Sequence, residues 1–261
     1  MTRCGLRLGS GPVVAAALAL VAVEWSAAQA RAQHDPQRNA TRLIARGDFA
    51  AAGAELGKGE PGAAETHFVA MMAAAKQGRI EEAVDRMRQA VAAGLPFERL
   101  VAGPRDVLRP LYASDGYRKL AAQQRPSDLL HGPMLGDVTD TAASIWLRTA
   151  GASRIVILVR EAASRAIVLE AFGRTSPETD FTVVVRLKGL KPGTGYRYEI
   201  LIDGRPQKAE NTRFRTTAAV GQSGKTRIVF GGGAGYVPKW ERMWDTILKR
   251  KPDALDQALG N

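Results

Sequence analysis

The chain is expected to be a multidomain protein: an all-α region, then an all-β antiparallel sandwich, then the start of an α/β layer. Three observations predict this order. Residues 40–124 are alanine-rich, with apolar side chains recurring at three- and four-residue steps, the spacing of one helical face. From His131 to Thr217 the period drops to two, with turn residues between the runs, which marks half-buried strands. From Thr226 an apolar strand, a glycine-rich stretch and a helical stretch follow in turn, the first half of an α/β unit. The 261 residues suffice for two small domains, each with a core of its own.

The amino terminus reads as a targeting segment. Arg3 and Arg7 precede an unbroken apolar run from Val13 to Val23. Small residues follow, and Ala28-Gln29-Ala30 and Ala30-Arg31-Ala32 both have the A-x-A form of a cleavage site. Residues 1–32 are therefore expected to be a secretory signal peptide. A retained anchor is the other reading of such a run, but spanning a bilayer takes about 20 apolar residues. The expectation is an exported protein, periplasmic or extracellular, with no transmembrane segment after cleavage. Twin arginines are missing from this segment, so the Tat route has no support. Cys4, the one cysteine, lies inside the signal, which leaves the mature chain no thiol for a disulfide or a thiolate metal site.

Net charge is +11, a balance that favours anionic partners such as phosphate esters, nucleic acid or acidic envelope polymers. No dense Lys/Arg run with interleaved aromatics is present, so no specific nucleic-acid partner is expected.

Within residues 40–124, Ala64 to Gln77 and Arg79 to Ala93 form two helical runs separated by Gly78. Ile80, Val84, Met87 and Val91 make one apolar face of the second. Gly78, Ala83, Met87 and Ala90 resemble the tetratricopeptide pattern, in which a glycine turn precedes small residues at the tight contact between paired helices. Gly47, Ala52 and Leu56 repeat that spacing 31 residues upstream, close to the repeat's period of about 34 residues. Two such units bury too little by themselves. Cover is expected from Leu95 to Leu120, through Leu100, Val107, Leu108, Leu111, Tyr112, Tyr117 and Leu120. The region is either a spacer or a peptide-binding groove.

Residues 125–130 are the expected linker, since Pro126 biases its predecessor away from helix. Residues 131–217 are the expected sandwich, with strands at Ala143–Thr149, Arg154–Arg160, Ile167–Phe172, Phe181–Leu187, Tyr196–Ile202 and Thr212–Thr216. Gly151, Gly173, Lys191-Pro192-Gly193 and Asp203-Gly204 are the turns between them. Trp146 is the expected core aromatic between the sheets. Leu190 to Tyr196, with Pro192 in its turn, reads as a tyrosine corner, whose hydroxyl returns to the upstream backbone.

Residues 226–261 are the expected α/β segment: a strand at Thr226–Phe230, a turn through Gly231, Gly232, Gly233 and Gly235, and a helix from about Pro238 to Lys249. Pro238 suits a first helical turn. Trp240 and Trp244 share a helix face, and no partner strand is expected to cover the unit. A glycine turn between strand and helix can aim amides at a phosphate, but no Gly-Lys-Ser/Thr follows here and G-x-G-x-x-G does not fit. Tight strand-to-helix packing is the alternative role of these glycines. His34, His67 and His131 have no metal-ligand spacing and read as structural or solvated. No catalytic residue, metal ligand or cofactor is therefore expected in this chain.

Three blocks carry a resemblance. Gly132-Pro133-Met134-Leu135-Gly136-Asp137-Val138-Thr139 precedes Ala143-Ser144-Ile145-Trp146-Leu147-Arg148-Thr149. Leu190 to Tyr198 is closed by Phe214-Arg215-Thr216. Ile228 to Tyr236 precedes Trp240-Glu241-Arg242-Met243-Trp244-Asp245 and Lys251-Pro252-Asp253-Ala254-Leu255. Together they resemble the amino-terminal region of the alkaline phosphatase D-like (PhoD-like) metallophosphoesterases, over about half the chain. The middle block resembles a fibronectin type III-like module. The resemblance implies a phosphomonoesterase or phosphodiesterase using divalent or trivalent metal ions, with a catalytic domain that starts where this chain stops. The family's serine and cysteine are replaced by Gly232 and Gly233, and its Gly-Asp-Asn ligand motif is reduced to Gly260-Asn261. The expectation is a truncated, non-catalytic accessory region whose partner is the missing catalytic domain. A stand-alone envelope protein that binds peptide or glycan is the alternative.

Overall fold

The computed structural model describes residues 35–210, 212–223, 226–232, 243–252 and 254–258. The expected signal peptide, residues 1–32, lies outside them. The chain divides into two units, Met1–Leu130 and His131–Asn261.

In the first unit α1 (Pro36–Arg46) starts on Asp35, whose side chain accepts the Arg38 N–H at 2.9 Å. It stops at Gly47, at φ +82, where a left-handed residue ends a helix without a Cβ clash. Asp48 caps α2 (Phe49–Leu56) in the same way, accepting from Ala51 N–H at 3.0 Å. Next come α3 (Ala64–Lys76) and α4 (Ile80–Ala92), joined through Gly78 at φ +73. Phe68, Met71 and Ala74 of α3 and Ala83, Met87 and Ala90 of α4 are fully buried in one core. Lys76 ties α3 to α1 by donating its Nζ to the Ile44 and Ala45 carbonyls at 2.8 and 2.9 Å, at the carboxyl end of α1, where a cation is favourable.

Three short helices complete the unit: α5 (Phe97–Ala102), α6 (Arg105–Tyr112) and α7 (Asp115–Gln124). They bury Leu100, Leu108 and Leu111 completely, and Val107, Tyr112, Tyr117 and Leu120 pack half-buried against the same core. Leu95 and Phe97 join it as well.

The second unit opens with an antiparallel sandwich. One sheet orders β1 (Leu129–Gly136), β2 (Ala142–Thr149) and β5 (Thr182–Lys188). The other orders β4 (Ile167–Thr175), β3 (Ser153–Glu161), β6 (Gly195–Ile202) and the two-residue β7 (Arg205–Pro206), and β8 (Arg213–Arg215) also pairs with β6. Ile145 and Leu147 of β2, Ile155, Ile157 and Val159 of β3, Val185 and Leu187 of β5, and Ile200 and Ile202 of β6 fill the interior.

Trp146 is not part of that interior. It is half-buried, opposite Val184 on the other face of β2. Side chains alternate across a strand, so Trp146 shares its face with Ser144 and Arg148. Arg148 ion-pairs Asp180 at 2.6 Å. Ile145 and Leu147, on the opposite face, take the core instead.

The linker is also shorter than expected, because Leu129 and Leu130 already belong to β1. β1 pairs only with β2 and lacks alternation. It also carries Pro133, which an edge strand tolerates. Gly132 sits at φ +89, where a Cβ would lie 2.8 Å from the Trp146 carbonyl oxygen.

After the sandwich come β9 (Ile228–Gly232), α8 (Met243–Lys249) and β10 (Ala254–Ala258). β10 runs parallel to β9, from Ala254↔Ile228 to Ala258↔Gly232. The expectation of a strand with no partner is therefore corrected. Asp256 and Gln257, read as interruptions of a strand, lie within β10 because the ladder is made by backbone groups. Pro238, Trp240 and the side chain of Trp244 lie outside the described residues.

Candidate functional site

The glycine-rich stretch was the one place the sequence suggested phosphate binding. Gly231 and Gly232 are not in a turn: they end β9, opposite Gln257 and Ala258. Their backbone belongs to a parallel ladder, which corrects the reading of glycine as a breaker here. Gly233 and Gly235 lie outside the described residues. Neither Gly231 nor Gly232 has a side-chain donor, and the described residues contain no cluster of three or more His, Cys, Asp or Glu that could hold a metal ion. Gly231 and Gly232 thus offer no side-chain ligand toward the metal site that the family resemblance implies.

Two of the sandwich residues named from the sequence, Pro192 and Tyr196, meet at one corner. The Tyr196 hydroxyl is buried and accepts the Lys191 N–H at 2.8 Å. Pro192 lies between them, and its carbonyl accepts the Thr194 hydroxyl at 2.9 Å. Thr216 closes the same corner, donating to the Lys191 carbonyl at 2.6 Å and accepting from Thr194 N–H at 3.0 Å. Tyr196 and Phe214 stack at 5.4 Å.

The helical unit holds an open cleft of about 550 Å³ between α2, α3 and α4. Its apolar wall comes from Phe49 and Leu56 of α2 and from Ala70 and Ala73 of α3. Gly53 lies between Phe49 and Leu56, and a Cβ built on it meets nothing within 4 Å. Arg79, Glu82 and Arg86 form the polar side. Arg79 ion-pairs Glu82, whereas Arg86 donates to Gln89 Oε1 at 3.2 Å.

Thr66 is satisfied, accepting from Gln37 Nε2 at 3.0 Å and donating to the Glu60 carbonyl at 2.9 Å. His67 differs: its Nδ1 is buried with no hydrogen-bond partner. Gly78, Ala83 and Ala90 sit in the turn and the core behind α4 and do not line the cleft. Sequence spacing missed the cleft because its residues come from three helices. The signal it left was Gly53 in mid-helix, where glycine is unfavourable.

His131, on β1, is exposed, and His34 lies outside the described residues. No helix among the described residues is long and apolar enough to cross a membrane.

A family model described as Domain of unknown function (DUF7800) matches residues 126–218, the sandwich. Comparison with curated proteins finds no match. Among solved structures, a PhoD structure is similar at 19% identity and a TM-score of 0.42, over 47% of this chain and 26% of that one. The chain thus spans about a quarter of that protein's length. The sensor domain of the anti-sigma factor RsgI4 from Pseudobacteroides cellulosolvens is similar at 19% identity and a TM-score of 0.28, over 36% of this chain and 98% of that one. The FN5 domain of Drosophila Lar is similar at 14% identity and a TM-score of 0.27, over 36% of this chain and 99% of that one. Fibronectin III domains are thus among the neighbours of this helix-then-sandwich chain.

Proposed function

We propose that this chain is the non-catalytic, amino-terminal accessory region of an exported alkaline phosphatase D-like phosphoesterase. In this reading the sandwich packs beside an α/β catalytic domain and helps position it or its substrate. The tetratricopeptide-like helical region is then a spacer.

The observation that carries the proposal is the parallel pair β9–β10. Parallel sheets are stable when both faces are covered. Here Ile228 is 60% and Phe230 83% exposed, one on the same face as the other in a period-two strand. That apolar face suits the flank of a further α/β layer. Metal ions would belong to that layer, since the end of β9 offers only glycines.

The test mixes the purified chain with a separately expressed alkaline phosphatase D-like catalytic domain lacking its own amino-terminal module. A one-to-one complex by analytical ultracentrifugation is expected, and Phe230→Asp should abolish it. The chain alone should turn over neither para-nitrophenyl phosphate nor bis-para-nitrophenyl phosphate with added Fe, Ca, Zn or Mn. No complex, or metal-dependent turnover that follows the chain through purification, overturns the proposal. The cleft of the helical unit favours the second reading, a stand-alone envelope binding protein.

A further inference from the structure

We infer that the cleft between α2, α3 and α4 binds an amphipathic carboxylate with an extended acyl body. This inference is independent of the phosphoesterase reading, because no residue of the sandwich or of β9 takes part.

The first argument is Gly53. Glycine inside a helix costs stability relative to alanine, and a tight neighbour usually explains it. Here a Cβ would meet nothing within 4 Å. The missing side chain instead deepens a trough walled by Phe49 and Leu56 on one helix and Ala70 and Ala73 on the next. A mid-helix glycine with open space above it is explained if a ligand lies against the helix backbone.

The second argument is shape. The cleft of about 550 Å³ falls within the range of small-molecule sites. From Phe49 to Leu56 the helix rises by roughly 10 Å, the length of an extended chain of roughly eight carbons. An apolar wall of that length suits an acyl chain.

The third argument is charge. Glu82 is taken by Arg79. Arg86 has no carboxylate partner among the described residues, and its guanidinium offers planar, paired donors that match a carboxylate. His67 also lines the cleft, but its Nδ1 is buried and is not counted toward the head group. The head group is thus placed at Arg86, with the tail along Gly53.

Isothermal titration of the full chain with decanoate tests this. One saturable site is expected, with 1-decanol at least tenfold weaker and decylammonium weaker still. Arg86→Glu should weaken decanoate at least tenfold. Gly53→Leu should abolish binding while its melting temperature stays at or above the parent's, because leucine is the better helix former. Absence of saturable decanoate binding overturns the inference. So does decylammonium binding as tightly as decanoate, or decanoate affinity unchanged by Arg86→Glu.

Discussion

Tyr196 and Lys191 are joined by a hydrogen bond in which the phenol oxygen accepts the backbone N–H at 2.8 Å. The five intervening peptide links cross from one sheet to the other, so this bond fixes the corner from which β6 starts. Tyr196→Phe keeps the ring and its stack on Phe214 but strands the Lys191 N–H. A buried group left unsatisfied costs about 1–3 kcal/mol. Urea denaturation should show that loss with an unchanged m-value. A midpoint equal to the parent's would show that the bond contributes nothing.

The two faces of β2 predict unequal costs. Leu147 is fully buried, and Leu147→Ala should cost about 2–5 kcal/mol. Trp146, larger but half-buried on the other face, should cost less as Trp146→Ala. The melting temperatures of the two variants decide it. If Trp146→Ala is the more damaging, the inward face of β2 is assigned wrongly.

Stability should fall at both ends of the pH range. Burial raises the Tyr198 phenol above its ordinary value of 10.0. Burial also raises Tyr117, against a smaller opposing pull from Arg105. The unfolded chain then ionises these phenols first, so their contribution is full below about pH 10 and is lost as pH climbs through the raised range. Asp203 has the opposite sign. Its carboxylate accepts the Arg154 N–H at 2.9 Å, which holds it below 3.8. That contribution is present above the ordinary value and is lost as pH falls through the lowered range. Denaturation midpoints measured with pH should be flattest between the two. Tyr117→Phe with Tyr198→Phe should blunt the alkaline decline, and an unaltered decline would exclude these phenols as its cause.

Export predicts a processed amino terminus. Cleavage at either A-x-A site leaves the mature chain starting at Arg31 or Gln33. Intact-mass measurement of periplasmic or extracellular protein checks this, and Met1 on such material would refute the signal-peptide reading.

The sequence by itself determined the two kinds of layer. Helices formed where apolar residues recur at three and four, as from Ile80 to Ala92. Strands formed where they alternate, as from Gly195 to Ile202. Both patterns are local, set by neighbours one turn or two residues away. Tertiary structure decided the rest. Ile145 rather than Trp146 faces inward in the β2–β5 pair, a pairing between segments some forty residues apart. The exposed β1 existed only through its pairing with β2. Gly231 and Gly232 became strand rather than turn because β10 supplied a parallel partner. The cleft around His67 arose where small residues of separate helices came face to face. No local period records such meetings, because they are contacts between segments distant along the chain.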